Sequence, residues 1–398
     1  MNDDNRPGHA ELQRPGVPPG GRHRAPRCLS LAVLLALASL LALCTFIPGQ
    51  AAASAAACRH IAGPFRSSHA AIYGAGGQRY IPYGINVIGL AHPLQRVMPS
   101  YTATVDGDEA VIKAAASSWC ANTVRLQIEQ DYLVAADGRV NQPFLAAVQA
   151  EVSYAESLGL VVVLNCQTQM TPAHSVEFMP TQRTLAFWDS LASHYRTDPQ
   201  VVFDVFNEPV HLGGDTGAAW RYWHGGGVID GVRFLGMQQL ADRLRGHDGA
   251  RNLLWVEGLS VGGSLRRAWD FRVAGDGPLA YAMHRPAGPH TARTWYTLFG
   301  YLAVHNLAPV VEGEWADYAR TDAPWACWGD SPRSVPAWLR YLANHRIGMT
   351  VTKMVPGQLI ESPALNDPTH LRADWKCRTG LNEGAGHQIM QWFALHNS

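Results

Sequence analysis

Residues 201–209 read VVFDVFNEP, an apolar run that ends in an asparagine, a glutamate and a proline. The run of valine and phenylalanine predicts a β-strand that is buried on both faces, as strands of a parallel sheet are. A carboxylate is costly to bury, so its place at the end of such a strand needs a reason. The stretch therefore predicts a buried parallel strand that presents Asn207 and Glu208 at its carboxyl end.

Similar apolar runs occur on both sides of this one, and amphipathic helical patterns separate most of them. The strand runs are Tyr80–Val87, Asn122–Ile128, Leu160–Cys166, Val201–Phe206, Asn252–Glu257, Leu279–Met283, Pro309–Val311 and Met349–Met354. The helical patterns are Asp108–Ser118, Pro143–Leu158, Gln182–Tyr195, Gly231–Leu244, Thr291–His305 and Pro336–His345, with a glycine-rich excursion at Gly213–Gly227. Eight strands that alternate with helices predict a (β/α)8 TIM barrel. An open doubly wound sheet is the alternative, which the lack of G-x-G-x-x-G after an early strand disfavours.

The first 57 residues differ in composition from the rest of the chain. A basic, proline-rich flank precedes an apolar run from Leu29 to Ile47, and an alanine cluster follows at residues 51–57. This order is typical of a secretory signal peptide. An uncleaved membrane anchor is the alternative, because the run approaches the ~20 residues of a membrane span. We predict a signal peptide and leader over residues 1–57, a single barrel domain over residues 58–398, and a secreted protein without stable membrane association after cleavage.

The overall composition restricts the class of protein and its partners. Hydrophobic residues make up 47% of the chain and charged residues 16%, which excludes a disordered protein. Lys+Arg 32 equals Asp+Glu 32, so the basic excess of a nucleic-acid-binding protein is missing. The 13 tryptophans suit either core packing or stacking on carbohydrate. We expect a monomer that binds no nucleic acid.

Five cysteines follow the predicted leader, and an exported chain can hold disulfides. The order along the chain suggests Cys58–Cys120 and Cys327–Cys377 as pairs. Because five is odd, at least one thiol must be free, and Cys166 in an apolar strand is the candidate. No C-x-x-C sequence supports a zinc site, and we expect no metal and no cofactor.

Polar residues cluster at the predicted carboxyl ends of the strands, where barrel enzymes place their chemistry. In strand order they are Asn86, Arg125 with Gln127, Asn165 to Gln167, Asn207 with Glu208, Glu257, His284, Glu312 with Glu314, and Thr352 with Lys353. Two carboxyl groups across a cleft are the working parts of glycoside hydrolysis. Glu208 and Glu314 form the sharpest such pair, since only the fold could bring them together.

Four segments resemble signatures of one enzyme family, and they occur in the family's order along the chain. Residues 198–209 resemble the strand-4 signature of glycoside hydrolase family 5, the cellulase family, in its retaining (β/α)8 clan. Residues 309–315 resemble its strand-7 signature, residues 122–126 its strand-2 arginine segment, and residues 83–86 its first strand. The resemblance implies a retaining glycosidase that cleaves a β-linked glycan and acts as an endo-β-glucanase or a related enzyme.

The resemblance also implies roles for individual residues. Glu208 would be the acid/base and Glu314 the nucleophile, and Arg125 would keep the nucleophile ionised. Asn207 would bond the sugar 2-hydroxyl, and His284 would contact the acid/base or the substrate. The other substrate-binding candidates are Trp315, Gln167 and Asn86.

Three departures from the family pattern affect the predicted sugar subsites. Residues 165–167 replace the usual histidine after strand 3, and Arg285-Pro286 follows His284 where the family has x-Tyr. Residues 352–354 lack the usual strand-8 tryptophan, so Trp315 would supply the stacking face. Ordinary endo-cellulase specificity is therefore not implied, and a divergent subfamily is expected.

Alternative assignments stay open at the level of sequence. Glu312 has the strand parity of Glu314, so it is a rival nucleophile or a buried carboxylate paired with Lys353 or Arg125. Glu257 is a weaker rival, with a structural role as a strand-end hydrogen-bond acceptor. A catalytically silent barrel that binds a glycan or a partner is the second function class. A TIM-barrel metalloenzyme lacks clustered His/Asp ligands at the strand ends.

Overall fold

The structure is a computed structural model of the chain. It describes residues 58–91, 105–168, 178–211, 213–285, 291–315, 331–352, 359 and 385–398. All of them lie in one compact unit, Ala57–Ser398. Within these ranges no helix has both the length and the apolar composition needed to cross a membrane. The predicted signal peptide over residues 1–57 lies outside the described residues.

Eight parallel strands close into a barrel, as the sequence predicts. The strands in chain order are β1 (Arg66–Ser68), β2 (Ala71–Tyr73), β3 (Arg79–Tyr80), β4 (Tyr83–Val87), β5 (Thr123–Glu129), β6 (Val161–Gln167), β7 (Val201–Asp204), β8 (Gly227–Ile229), β9 (Val232–Phe234), β10 (Leu254–Glu257), β11 (Leu279–Met283), β12 (Val310–Trp315) and β13 (Gly348–Val351). The barrel order is β4-β5-β6-β7-β10-β11-β12-β13, and β13 pairs with β4 to close it. The prediction of a TIM barrel is confirmed.

The barrel strands are buried on both faces, which explains their near-continuous apolar sequences. Every residue of β6 is buried, although only alternate residues point into the barrel. Val161 and Val163 join a cluster inside the barrel, whereas Val162 and Leu164 pack against the surrounding helices. The same alternation directs Arg125 and Gln127 of β5 inward at the carboxyl end.

Helices follow most of the barrel strands. They are α1 (Val105–Ser117), α2 (Gln130–Leu133), α3 (Gln142–Ser157), α4 (Gln182–Tyr195), α5 (Gly217–Gly225), α6 (Met237–Asp242), α7 (Ala292–Trp295), α8 (Tyr301–Val304), α9 (Ser331–His345) and α10 (Ala385–His396). Side-chain caps define several starts: the Thr181 hydroxyl accepts the Arg183 N–H at 3.2 Å, and Thr184 accepts the Thr181 N–H at 3.0 Å. This capping box begins α4 at the predicted residue.

The segment after β7 differs from the prediction. The glycine-rich excursion contains helix α5, and a hairpin of β8 and β9 occupies the start of the predicted helix Gly231–Leu244. The Thr216 hydroxyl begins α5 by accepting the Ala219 N–H at 3.2 Å. Gly226 and Gly231 adopt φ values of 70° and 79°, which favour glycine, so they form turns rather than helix. The high glycine content of this segment therefore did not indicate that it contains a helix and a hairpin.

The amino-terminal face of the barrel is tied to both ends of the described chain. Cys58 and Cys120 form a disulfide with a Cα–Cα distance of 5.2 Å, as predicted. The Asn397 amide donates to the Cys120 carbonyl at 2.8 Å and accepts from Asn122 at 3.2 Å. Cys166 is a buried free thiol, also as predicted. The predicted pair of Cys327 and Cys377 lies outside the described residues.

Candidate active site

Arg125 of β5 is the centre of the polar cluster at the carboxyl ends of the strands. It is completely buried, so each of its nitrogen donors requires a partner. Nε donates to Asp204 at 2.7 Å, and Nη2 donates to Asn207 at 2.7 Å and Glu257 at 2.9 Å. Nη1 donates to Asn86 at 2.7 Å and Glu314 at 3.3 Å. One arginine thereby joins residues from β4, β7, β10 and β12.

Glu208 lies at the rim of this cluster in an unusual backbone conformation. Its φ is 52°, in the left-handed region that side chains with a Cβ rarely adopt. The buried Glu257 carboxylate accepts its backbone N–H at 2.6 Å. His284 Nδ1 contacts Glu208 Oε1 at 3.0 Å, as expected for a histidine at the end of the sixth barrel strand. These contacts direct the Glu208 carboxyl group into the cleft.

Glu314 of β12 lies close to Glu208, which follows β7. Gln127 donates to Glu314 Oε2 at 2.8 Å, beside the bond from Arg125. One oxygen of Glu208, one oxygen of Glu314 and a ring nitrogen of His284 all lie within 4.8 Å of one another. The side chain of Glu208 is 20% exposed and that of Glu314 is 15% exposed, whereas His284 is 3% exposed. The two carboxylates are therefore the accessible members of the cluster.

The charges in the cluster shift the pKa values of its members in opposite directions. Burial raises the pKa of Glu208, and the nearby charge of Glu314 adds to this against the opposing effect of His284. Burial alone would raise the pKa of Glu257, but His284 and Arg125 outweigh it and hold the pKa below its ordinary value. The pKa of Asp204 is raised well above its ordinary value by burial and by Glu257. The cluster therefore keeps a proton on Glu208 to higher pH than an ordinary glutamate.

The structure brings most of the sequence-predicted site residues together. Glu208, Glu314, Asn207, Arg125, His284 and Asn86 are joined by direct contacts. Asn86 is 1% exposed, donates to the Gly313 carbonyl at 3.0 Å and accepts from Arg125 at 2.7 Å. Gln167 is equally buried, and its side chain accepts the Thr168 N–H at 3.1 Å. That these two amides bind substrate stays a prediction.

The prediction that Trp315 provides a sugar-stacking face is wrong. Trp315 is fully buried and belongs to the core cluster that packs between strands and helices. The physical reason is its place directly after Glu314: successive side chains of a strand point to opposite faces, so Trp315 points into the layer between strands and helices. The register of β12 against β13 shifts between Glu312 and Trp315.

Three residues of the site were absent from the predicted set of site residues. Gln127 binds the Glu314 carboxylate, Asp204 binds Arg125, and Glu257 binds both Arg125 and the Glu208 backbone. A signal existed for each one. Gln127 shares the parity of Arg125, and the acidic Asp204 and Glu257 lie in otherwise apolar strand runs.

Of the two alternatives for Glu312, the structure fits the buried carboxylate, but its described partner is the Arg285 backbone and not Arg125. Lys353 lies outside the described residues. Glu312 is completely buried, and its Oε1 accepts the Arg285 backbone N–H at 3.0 Å. The shift in register of β12 explains why the two glutamates have different partners. Burial raises the pKa of Glu312 to about 8. A buried carboxyl group that keeps its proton at neutral pH is a poor nucleophile.

We expect Glu312→Gln to change the pH dependence of stability. Between the unfolded pKa of about 4.3 and the folded pKa of about 8, the folded wild type binds more protons than the unfolded chain. Its free energy of unfolding should therefore fall as pH rises through this window and level off above it. The amide does not titrate, so the variant should gain on the wild type from pH 5 to pH 8, by on the order of a few kcal/mol. Urea unfolding at both pH values measures the difference, and parallel pH profiles would contradict the assignment.

The donor set of the cleft favours proton transfer over metal binding. Glu208, His284 and Glu314 have the spacing of metal ligands. Burial alone would lower the pKa of His284, but the adjacent Glu257 and Glu208 outweigh it and raise the pKa well above its ordinary value. A protonated imidazole has no lone pair to give a cation. Asp189, His247 and Asp248 also have the spacing of metal ligands, but the Asp189 carboxylate already forms an ion pair with Arg243.

Comparisons with known proteins agree with this geometry. The family model described as Cellulase (glycosyl hydrolase family 5) matches residues 83–356. The β-glucanase SdGluc5_26A from Saccharophagus degradans is 18% identical with a TM-score of 0.61, over 86% of this chain and 96% of that chain. The endocellulase from Pyrococcus horikoshii in complex with cellotetraose is 16% identical with a TM-score of 0.59, over 83% and 99% of the two chains. No curated protein sequence matches the chain.

The family model covers well over half of the chain, and its span begins at β4 and ends beyond β13. It therefore includes all eight barrel strands and every residue of the polar cluster. At these low identities the solved structures show the shared fold alone. The match of the family model establishes that the chain belongs to the cellulase family, glycosyl hydrolase family 5, and is a glycosidase that hydrolyses O-glycosyl bonds.

Proposed function

We propose that the protein is a retaining glycoside hydrolase that cleaves a β-linked glycan by double displacement. The observation that carries the proposal is the approach of the two accessible carboxylates, with oxygens of Glu208 and Glu314 within 4.8 Å. Retaining enzymes hold their carboxyl groups about 5–5.5 Å apart, whereas inverting enzymes leave about 6.5–9.5 Å for a water molecule. The short spacing supports attack by a carboxylate on the sugar.

The different surroundings of the two carboxylates support different roles. Glu314 accepts hydrogen bonds from Arg125 and Gln127, which hold its carboxyl group in place for attack on the anomeric carbon. Glu208, whose pKa is raised by burial, gives its proton to the leaving oxygen as the glycosidic bond breaks. In the second step Glu208 takes a proton from water, whose oxygen displaces Glu314 from the sugar and restores both groups.

The neighbouring residues prepare this chemistry. His284 contacts Glu208 and holds the orientation of its carboxyl group. Asn207, oriented by Arg125, lies beside the acid/base, and we assign it the contact with the sugar 2-hydroxyl. The structural neighbours are described as a β-glucanase and an endocellulase, so β-glucans are the first substrates to test.

The test is a reducing-sugar assay across glucans, mannans, xylans and glycolipids, together with aryl β-glycosides. For any substrate that is cleaved, NMR of the first product should show the β-anomer before mutarotation. Initial release of the α-anomer would contradict the retaining mechanism. Binding without hydrolysis of every substrate would favour a silent glycan-binding barrel instead.

We also propose that the mature protein is secreted. The proposal rests on the charged flank, apolar run and alanine cluster of residues 1–57. Lys+Arg 32 equals Asp+Glu 32, which fits a protein that binds no nucleic acid, and a monomeric state stays a prediction. Amino-terminal sequencing of secreted protein should place the cleavage between about Gly49 and Cys58. Recovery of the intact apolar run in membranes would contradict it.

A further inference from the structure

Glu257, the last residue of β10, contacts the acid/base, its histidine and the central arginine at once. It is completely buried, so it does not touch substrate. Its Oε2 accepts the Glu208 backbone N–H at 2.6 Å. Its Oε1 accepts from Arg125 Nη2 at 2.9 Å and lies 3.2 Å from His284 Nε2.

We propose that Glu257 is a positioning residue that fixes the backbone of Glu208 and keeps His284 protonated beside it. This inference rests on the acid/base role of Glu208 proposed above. It assigns a catalytic consequence to a residue whose side chain is hidden beneath the cleft.

The first part of the argument concerns the backbone. Glu208 has a φ of 52°, which is unfavourable for any residue with a Cβ. A hydrogen bond to an ionised acceptor is stronger than one between neutral groups. The bond from the Glu208 N–H to the buried Glu257 carboxylate therefore offsets the unfavourable conformation and sets the direction in which the acid/base side chain leaves the strand.

The second part concerns the proton on His284. Both ring nitrogens face carboxylates, Nδ1 toward Glu208 at 3.0 Å and Nε2 toward Glu257 at 3.2 Å. Only the protonated ring carries a hydrogen on both nitrogens. The Glu257 charge is the largest influence that raises the pKa of His284 against burial. Glu257 thus keeps a donor directed at Glu208 throughout the reaction cycle.

Other charged groups also act on this pair, and they come from each neighbouring strand. They are Arg125 of β5, Asp204 of β7, Glu208 after β7, Arg285 after β11, and Glu312 and Glu314 of β12. Removal of one negative charge from such a coupled cluster makes each protonation step less favourable. Without the Glu257 charge, the cluster should lose its protons at lower pH.

The test is Glu257→Gln in the full chain. The amide oxygen still accepts the Glu208 N–H, but the charge is gone. We expect the alkaline limb of kcat/KM to move to lower pH by about one unit or more. With leaving groups of high pKa, kcat should fall roughly 10²-fold while KM changes little, because proton donation is the step that suffers. Aryl glycosides with good leaving groups should lose much less.

Asp204→Asn is the matched control. Asp204 is also a buried carboxyl group bound to Arg125, but its hydrogen bonds are to Arg125 and Asn165 and none reaches Glu208 or His284. Because Asp204 makes no hydrogen bond to Glu208 or His284, this variant should move the alkaline limb less than Glu257→Gln and show a weaker dependence of the loss on the leaving group. An equal loss by Glu257→Gln on both substrate classes with an unmoved alkaline limb would show a merely structural role and overturn the proposal.

A second measurement does not depend on turnover. NMR of ¹⁵N-labelled histidine should show that the His284 ring stays protonated well above pH 6.5 in the wild type and loses its proton at lower pH in Glu257→Gln. If the variant does not fold, the wild-type titration alone decides, since an ordinary histidine pKa near 6.5 would overturn the proposal. An inactive wild type with a protonated His284 would instead count against the glycosidase mechanism and leave the contact with Glu257 supported.

Discussion

Glu314→Gln should abolish turnover and leave substrate binding largely intact. The amide has nearly the shape of the carboxylate, but it cannot form the covalent bond to the sugar. Loss of a residue that acts as nucleophile costs roughly 10⁴-fold or more in kcat. Initial rates on the best substrate measure the loss, and calorimetric titration with the same glycan should give a dissociation constant within about threefold of the wild type.

Glu312→Gln is the natural control for this experiment, because the two glutamates are separated by one residue and only Glu314 has an accessible side chain. The control should keep most of the wild-type activity. If Glu312→Gln were inactive and Glu314→Gln active, the nucleophile would be misassigned. If both were fully active on the true substrate, the glycosidase mechanism itself would be refuted.

Glu208→Ala should slow hydrolysis most for the substrates whose leaving groups have the highest pKa. General acid catalysis is worth about 10²–10⁴-fold, so polysaccharides and alkyl glycosides should lose that much. Aryl glycosides with very acidic phenols need no proton, so their glycosylation step should be nearly normal. A series of aryl glycosides of graded phenol pKa measures this dependence.

Azide adds a second readout to the same variant. Once the carboxyl group is gone, a small anion can enter its space and attack the glycosyl-enzyme without a general base. Azide should therefore accelerate deglycosylation and give a glycosyl azide of retained configuration. A loss independent of the leaving group, with no effect of azide, would remove Glu208 from the acid/base role. The azide test should leave Glu314→Gln inactive, since that variant forms no intermediate.

The barrel was predictable because its signal is local and repeated. Each buried parallel strand needs an apolar run of a few residues, and the run Leu279–Met283 matches β11 residue for residue. The strand ends were less exact: Pro309–Val311 was predicted for a strand that extends over Val310–Trp315. A strand that continues through Glu312 and Glu314 has no apolar pattern there, so composition could not reveal its length.

The segment between β7 and β10 shows where local patterns fail. Helix α5 and the β8–β9 hairpin lie in a glycine-rich stretch that reads as a loop. Their stability comes from packing, since Trp220 and Trp223 of α5 are completely buried and Trp223 donates to the Glu257 carbonyl at 2.8 Å. Helices this short gain their stability from tertiary contacts.

In the candidate site, too, some residues were predictable from local motifs, whereas their contacts were not. Asn207, Glu208 and Glu314 are recognisable in the chain because their motifs follow apolar strands. The network beneath them depends on residues far apart in sequence: Arg125 reaches Glu257 across 132 positions and Glu314 across 189. No local pattern encodes such distances. The sequence predicted Glu257 as a strand-end hydrogen-bond acceptor, which is confirmed, but only the closed barrel shows that Arg125 and the Glu208 backbone are its donors.

From the chain alone follow the class of fold, the polar residues at the strand ends and the two candidate carboxylates, because periodicity and short motifs are properties of neighbouring residues. The closed barrel decides which side chain each carboxylate meets, and hence which one holds a proton. It also decides that Trp315 is buried. A shift in the register of β12, which alternation cannot foresee, gives Glu312 and Glu314 different partners. Burial, the approach of charged groups and strand register depend on contacts between strands, so only the folded molecule has them.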